Sequence, residues 1–360
     1  MSTVKSKSIV ERFSRAQDSL VIQAADMSLE TIAAMVDAGA IDVQPEYQRR
    51  ERWSLPAQSA LIESFLLNIP VPPVYLAEED FGTYSVIDGK QRLTAIKRFM
   101  RQEFALSKPA RFDELNGLHL AELPIDLRNA LTIRPYVRVV TLLKQSDPQL
   151  KYEVFTRLNT GGVPLQPQEV RNAMYRGKLN DMLIQLSEQE FLRRQLKIRT
   201  KKEDAYLSMS DVEYVLRFFT MFDEWKSFSG DYRRSMDRYM DVNRNPTLAK
   251  LKKLHLLYNA CLERCQALWG DHAFRRFDVA SNVYRDQFLS ALYDAQMIAV
   301  SMLTEVKFKK LVSRRQKVVN STRALFGVPE FEDSIRVSTN TPTRVKTRVE
   351  MMVAMLAELC

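Results

Sequence analysis

Cysteine is scarce in this chain: Cys261, Cys265 and Cys360 are its only three in 360 residues. So small and odd a number excludes a disulfide framework and fits a reducing compartment. Cys261 and Cys265 stand four apart in an apolar helical pattern, which assigns them to one core face. No CxxC pair or histidine cluster is there to complete a zinc site. Histidine is equally rare, and His119, His255 and His272 lie far apart, so each reads as a structural or surface residue rather than a ligand. Ten glycines leave no room for long glycine-rich linkers. No apolar run approaches the length of a membrane span. The opening MSTVKSKSIVERFSR is basic, but no apolar stretch follows it as a secretory signal requires. A cytoplasmic protein with no membrane partner is expected.

What is present is an ordinary globular composition, 46% hydrophobic, over a length that suits one large domain or two modest ones. Basic residues exceed acidic ones by 9, which suits contact with a polyanion without requiring it. The segment 28–39 predicts a helix, with Ser28 as N-cap, Glu30 in the first turn and Gly39 as the stop. Ser54 and Pro56 open a second helix, and the prolines of 68–73 forbid a third there. Residues 73–78 and 83–87 predict short strands around a turn at Asp80–Gly82, a helix begins at Lys90, and 135–143 predicts another strand. From about Gln149 the periodicity is helical, with long amphipathic segments at 212–225, 251–269 and 285–306 and a last helix after Pro342. The expected fold class is α+β: a small mixed sheet with helices over residues 1–148, then a mainly α-helical domain over 149–360.

Three segments carry chemistry. In VIDGKQRLTAI (86–96) a strand runs through a tight turn at Asp88–Gly89 into a helix opening with Lys90, Gln91 and Arg92. Backbone N–H groups at a helix start, with the helix dipole, favour a phosphate or another anion. Arg92 supplies a bidentate fork and Lys90 a second cation. Asp88 could hold a divalent metal or orient Arg92. The plainer alternative is a strand–turn–helix connection with solvated charges. In PEYQRRERW (45–53) Arg49, Arg50 and Arg52 lie between Tyr47 and Trp53 with Gln48 beside them, a mixture that suits stacking plus phosphate contact, or a solvated loop anchored by two aromatics. In VFTRLNTGGVPLQPQEVRNAMYRG (154–177) a helix with Phe155 and Asn159 runs into Thr160–Gly161–Gly162, and a second helix carries Glu169, Arg171 and Asn172. A ligand-approach loop and a plain glycine-capped corner are both open readings. Two basic runs follow, Arg193 to Lys202 and Lys307 to Lys317, either a phosphate-backbone grip or a solvated face.

Taken together, Tyr47-Gln48-Arg49 with Trp53, then IPVPPVYL, VIDGKQRLTAI and FTRLNTGGVPLQPQEVRNA, resemble the N-terminal domain of GmrSD-type restriction proteins, of the ParB/sulfiredoxin-like superfamily. DVEYVLRFFTMF and YRRSMDRYM look like its helical continuation, so the resemblance spans roughly residues 28–240. It implies a ParB-like sheet and a nucleotide-phosphate site at Asp88, Gly89, Gln91 and Arg92. Lys90 stands where glutamine is more usual, adding a positive charge. Tyr47, Gln48 and Arg49 match the upstream motif, and Asn159, Gly162 and Glu169 the downstream one. In related proteins the domain is associated with nucleoside triphosphate hydrolysis, control of a DNA nuclease and, for some members, sensing of modified DNA. The His-Asn-His nuclease domain of those proteins has no matching pattern here, where only His255 and His272 fall in the C-terminal half, so a stand-alone form is expected. Sulfiredoxin chemistry is disfavoured, because all three cysteines lie at or beyond residue 261.

The leading expectation is an NTP-binding, NTP-hydrolysing regulator that acts with DNA, modified DNA included, and a separate effector protein. Asp88, Arg92 and Glu169 would be catalytic. Tyr47, Gln48, Arg49, Gly89, Lys90, Gln91, Asn159 and Gly162 would hold the nucleotide, and Asp88 would hold Mg²⁺. A non-catalytic DNA-binding module is the alternative. A metal-dependent nuclease using Asp88, Glu51 and Glu63 comes third, because no acidic cluster has metal-ligand spacing. Oligomeric state is left open.

Overall fold

The computed structural model describes residues 19–43, 53–158, 166–201 and 203–360, with Phe13 and Gln17 besides. Tyr47, Gln48, Arg49, Asn159 and Gly162 lie outside the described residues, as do Glu51 and Gly161. The chain divides into two compact units, Met1–Leu165 and Gln166–Cys360.

The first unit is built on a five-stranded mixed sheet in the order β1-β5-β3-β4-β2. Its strands are β1 (Ile22–Ser28), β2 (Ile41–Asp42), β3 (Val74–Asp80), β4 (Thr83–Asp88) and β5 (Tyr136–Leu142). β1 runs antiparallel to β5 and β4 antiparallel to β3, whereas β5 is parallel to β3 and β2 to β4. The helices are α1 (Leu29–Asp37), α2 (Leu55–Leu66), α3 (Lys90–Met100), α4 (Ile125–Ile133) and α5 (Pro148–Leu158). The side-chain oxygen of Ser28 accepts from Thr31 N and that of Ser54 from Ala57 N, so both predicted N-caps are real. Gly39 sits just past α1 at φ 71°, the left-handed position a helix stop asks of glycine.

α1 and α2 both pack on α3, and Ile32, Ala33, Ile62, Val74, Leu76, Val86, Leu93, Ile96 and Phe99 form one core that holds α3 against the sheet. Each fully buried Ile, Leu or Phe contributes about 1.5–3 kcal/mol. β1 carries no alternation that predicts a strand. It is an edge strand with mostly exposed side chains, registered on β5 by a direct cross-strand pair in which Arg138 donates twice to Asp26 at 2.9 and 3.1 Å.

The second unit is mainly helical. It contains α6 (Pro167–Met174), α7 (Lys178–Ser187), α8 (Glu190–Gln195), α9 (Asp204–Leu207), α10 (Ser210–Glu224), α11 (Tyr232–Val242), α12 (Leu248–Trp269), α13 (Ser290–Ser301), α14 (Glu305–Ser313), α15 (Arg315–Leu325), α16 (Pro329–Arg336) and α17 (Pro342–Glu358). α13 is buried from Ala291 to Val300 and packs against α10, α12 and α17. The periodicity over 285–306 predicts a single helix; the structure divides it. Residues Arg275–Asp278 and Val283–Phe288 form a hairpin, β6 and β7, and α13 begins only at Ser290. Tertiary pairing overrides the helical pattern: Tyr284 meets Phe277 edge-on at 5.1 Å, and Arg285 bonds Asp278 across the turn at 2.7 Å. No described helix is long and apolar enough to cross a membrane.

Charge holds the middle of this unit together. Asp294 on α13, fully buried, accepts from Arg217 on α10 at 2.7 and 2.8 Å, from Arg348 on α17 at 2.8 Å and from the Tyr232 hydroxyl at 2.8 Å. Burial pushes its carboxyl up, but the adjacent Arg217 and then Arg348 more than reverse this, and its pKa lies below the ordinary value.

Candidate functional site

The site begins where β4 ends. Gly89 is the N-cap of α3 at φ 98°, a left-handed conformation, and it has no side chain with which to cap the helix. A Cβ there would stand 2.8 Å from Val74 Cγ2 and 3.1 Å from a guanidinium nitrogen of Arg92, so space as well as conformation demands glycine. Asp88 is the last residue of β4, and its Oδ2 accepts from Arg92 at 2.6 Å. Arg92 also donates to the carbonyl of Pro72 at 3.2 Å. The guanidinium is mostly covered, whereas the Asp88 side chain is about a third exposed at 37%. Lys90 adds a second cation in the first turn, where no acidic residue lies.

The sequence signals upstream meet at this turn. The Gln91 side chain accepts from Trp53 N at 3.3 Å, and the Trp53 carbonyl in turn accepts from Gln58 at 2.8 Å, so the last residue of the arginine-rich segment is tied to the turn. Gln58 is held by Arg98 of α3 at 2.7 Å. The proline segment contributes Pro72 through its carbonyl and Val74 through its side chain. Pieces spread over some forty positions of sequence thus form one junction. The Pro72 carbonyl is invisible to motif reading because a backbone acceptor leaves no residue-type signature. α5, which leads toward Asn159, packs on β4 with Phe155 buried.

Glu169 is in the second unit, at the start of α6. Its carboxylate accepts from Gln166 N at 2.7 Å in a capping box and is nearly buried. Its neighbours are also engaged. Arg171, 1% exposed, donates to Asp237 at 2.7 Å and Glu213 at 3.0 Å, and Asn172 accepts from Gln168 at 3.0 Å. Burial raises the Asp237 carboxyl, with Arg171 opposing. The helix-corner reading of this segment therefore accounts for every described polar side chain from Gln168 to Asn172. Glu63, the third acid of the nuclease reading, is likewise occupied: it accepts from the backbone N–H groups of Ala110, Arg111 and Phe112 at 3.0, 2.6 and 3.1 Å, fixing the loop after α3. His255 contacts Asn259 at 3.1 Å, and His272 stacks on Tyr284 with 4.0 Å between ring centroids.

A phosphate suits the Asp88–Arg92 turn. The positive end of the α3 dipole, Lys90 and Arg92 converge there, and the five N–H donors of Arg92 exceed the two acceptors that hold it. For Mg²⁺ the turn offers one carboxylate, Asp88, and among the described residues no group of three or more His, Cys, Asp or Glu can hold a metal. That donor set fits an ion delivered by a triphosphate and still ligated by phosphate and water, not a resident metal centre.

Residues 30–176 match the family described as GmrSD restriction endonuclease, N-terminal domain, and this part of the chain is similar to that domain. No curated protein and no solved structure matches the chain.

Proposed function

We propose that the first unit binds a nucleoside triphosphate at the Asp88–Arg92 turn and hydrolyses it, as a regulator in DNA restriction or phage defence that works with DNA and a separate effector. The restriction role comes with the family. The observation that carries the nucleotide reading is the turn itself: a glycine N-cap, with Arg92 clamped between Asp88 and Pro72 at the start of a helix that no side chain of Gly89 covers. Lys90 and Arg92 would neutralise phosphate oxygens, and Gln91 would hold the turn to the segment beginning at Trp53. Asp88 would orient Arg92 and lend one oxygen to the magnesium carried by the triphosphate. That ion would neutralise charge on the phosphates when bound. Phosphoryl transfer asks mainly for positioning and charge stabilisation, which these residue types supply.

The test is phosphate release from each NTP with Mg²⁺, with and without DNA, in the wild type and in Arg92→Ala and Asp88→Asn. Release that falls by about 100-fold in Arg92→Ala, the order expected for one preorganised charge donor, with an unchanged circular-dichroism spectrum, supports the reading. No release from any NTP by the wild type, or wild-type release from both variants, sinks it.

A further inference from the structure

The two late basic runs are alike in sequence and differ in what the fold does with them. In the first, Arg193 pairs with Glu188 at 3.5 Å and Asp211 at 3.8 Å and lies over the Tyr206 ring. Arg194 pairs with Asp271 at 3.4 Å, and Lys197 with Asp286 at 2.7 Å. Those cations hold the second unit together. The second run has no such partners. Lys307, Lys309 and Lys310 on α14, Arg314 at the junction, and Arg315 and Lys317 on α15 are all exposed, and among the described residues none forms an ion pair with a carboxylate. None is available locally, because no Asp or Glu occurs between Glu305 and Glu330, and Glu305 itself is taken by Arg264.

The apolar side of this stretch is turned inward. Leu311 and Val318 are fully buried, and Phe308 lies beneath the Arg264 guanidinium at 5.2 Å. The outward side carries Lys307 and Lys310 one helical turn apart on α14, Arg315 and Lys317 on α15, and between the helices Arg314, which donates to the Leu359 carbonyl at 2.9 Å, with the neutral polar groups of Gln316 and Asn320 beside them. Lys307 and Lys310 lie about 5–6 Å apart at Cβ, and with the exposed cations that follow they form a positive face suited to the closely spaced phosphates of a duplex. Its exposed large apolar residues are Val306 and Val312, with no aromatic among them. A protein partner would ask for an aromatic or arginine-filled anchor pocket, and a single strand would ask for stacking rings.

We propose that the α14–α15 face is a docking surface for the sugar–phosphate backbone of duplex DNA. The inference rests on the DNA-facing part of the function proposed above, and does not require the nucleotide site. With cations in the majority and the two amides, Gln316 and Asn320, bonded to each other at 3.0 Å, the contact is chiefly electrostatic and largely independent of sequence.

The experiment uses the full chain and a fluorescently labelled 20-base-pair duplex of arbitrary sequence, with anisotropy measured over a salt series and no nucleotide present. The wild type should bind with a steep salt dependence. The triple variant Lys307→Ala, Lys310→Ala, Lys317→Ala should lower the log–log slope by roughly 0.9 for each phosphate it no longer neutralises, about 2.7 in all, and weaken binding at least about tenfold at low salt. The matching lysine-to-arginine variant should bind like the wild type, and Arg194→Ala with Lys197→Ala in the first run, whose cations are already paired with Asp271 and Asp286, should change little. No duplex binding by the wild type, an unchanged slope in the alanine triple variant, or equal weakening in the first-run control would overturn the proposal. Phosphate release measured on the same samples without DNA separates the two readings: its absence would count against the nucleotide site and leave the slope comparison intact.

Discussion

The helix that opens at Gly89 and the helix that opens at Gln166 are started from the same kinds of side chain, an acid, an arginine and a glutamine, and use them in opposite ways. At Gln166 the acid is turned onto its own helix: Glu169 closes a capping box, and Arg171 is buried between Asp237 and Glu213. At Gly89 the cap has no side chain, and the acid and arginine bond each other at the rim of the turn, where Asp88 meets solvent. The difference teaches that residue type in a motif does not decide its use. What decides is whether the charges are already consumed by the fold. By that measure the core of the second unit spends charge inside itself, through Asp294, Arg217 and Arg348 as well as Arg171, and the Asp88–Arg92 turn keeps it at the surface.

The largest effect should come from breaking the spent side of that comparison. Asp294→Ala leaves the fully buried Arg348 and the mostly buried Arg217 without their carboxylate. Removing one partner of a buried ionic network costs about 3–5 kcal/mol, read as a lowered unfolding free energy in denaturant; a loss under about 1 kcal/mol would mean the network carries little. Acid should act in the same direction. Because Asp294 is held below its ordinary pKa in the folded protein, its stabilisation is complete above the unfolded value of about 3.9 and is lost as the pH falls through the lowered native value. An acid-unfolding titration of Asp294→Ala should therefore be flatter than that of the wild type.

The next effect sharpens the open side. Gly89→Ala meets both a positive φ and the Val74 methyl group, whereas Gly82→Ala at φ 78° meets nothing within 4 Å. Holding a non-glycine residue in such a conformation costs on the order of 1–3 kcal/mol. Gly82→Ala should sit at the bottom of that range and keep phosphate release. Gly89→Ala should exceed it and lose release, since the Cβ pushes on Arg92. Equal behaviour of the two variants would remove steric closeness from the account of the turn.

Much of this contrast is legible in the sequence alone. Ser28, Ser54 and Pro56 mark helix starts by their own chemistry, and the short runs rich in apolar and aromatic residues on either side of Asp80–Gly82 mark a hairpin, so β3, β4 and the Asp88–Arg92 turn can be found from sequence. β1 cannot, because its stability comes from the ladder to β5 and the Arg138–Asp26 pair rather than from an apolar face. The β6–β7 hairpin is hidden for a related reason: Tyr284 and Phe288 fit a helical period, and only their partners Phe277 and Phe274 make them a strand. In the site, side-chain types are readable and their engagement is not. Nothing local says that Glu63 is claimed by a loop nearly fifty residues on, or that Arg193 is neutralised while Lys310 is left exposed.

The smallest effect tests the comparison most directly, at Glu169. As a capping residue it contributes about 1 kcal/mol through the N–H of Gln166. Glu169→Ala should lower the unfolding free energy by about that amount, and Glu169→Gln, which keeps an acceptor oxygen at the same reach, should recover most of it. Phosphate release should stay at the wild-type level in both. A glutamate that took a proton or held a metal during turnover would behave in the reverse way: glutamine would abolish release while sparing stability. The two variants therefore separate the roles by pattern rather than by size. Loss of release in Glu169→Gln at unchanged stability would overturn the division between a helix start that is spent and one that is open.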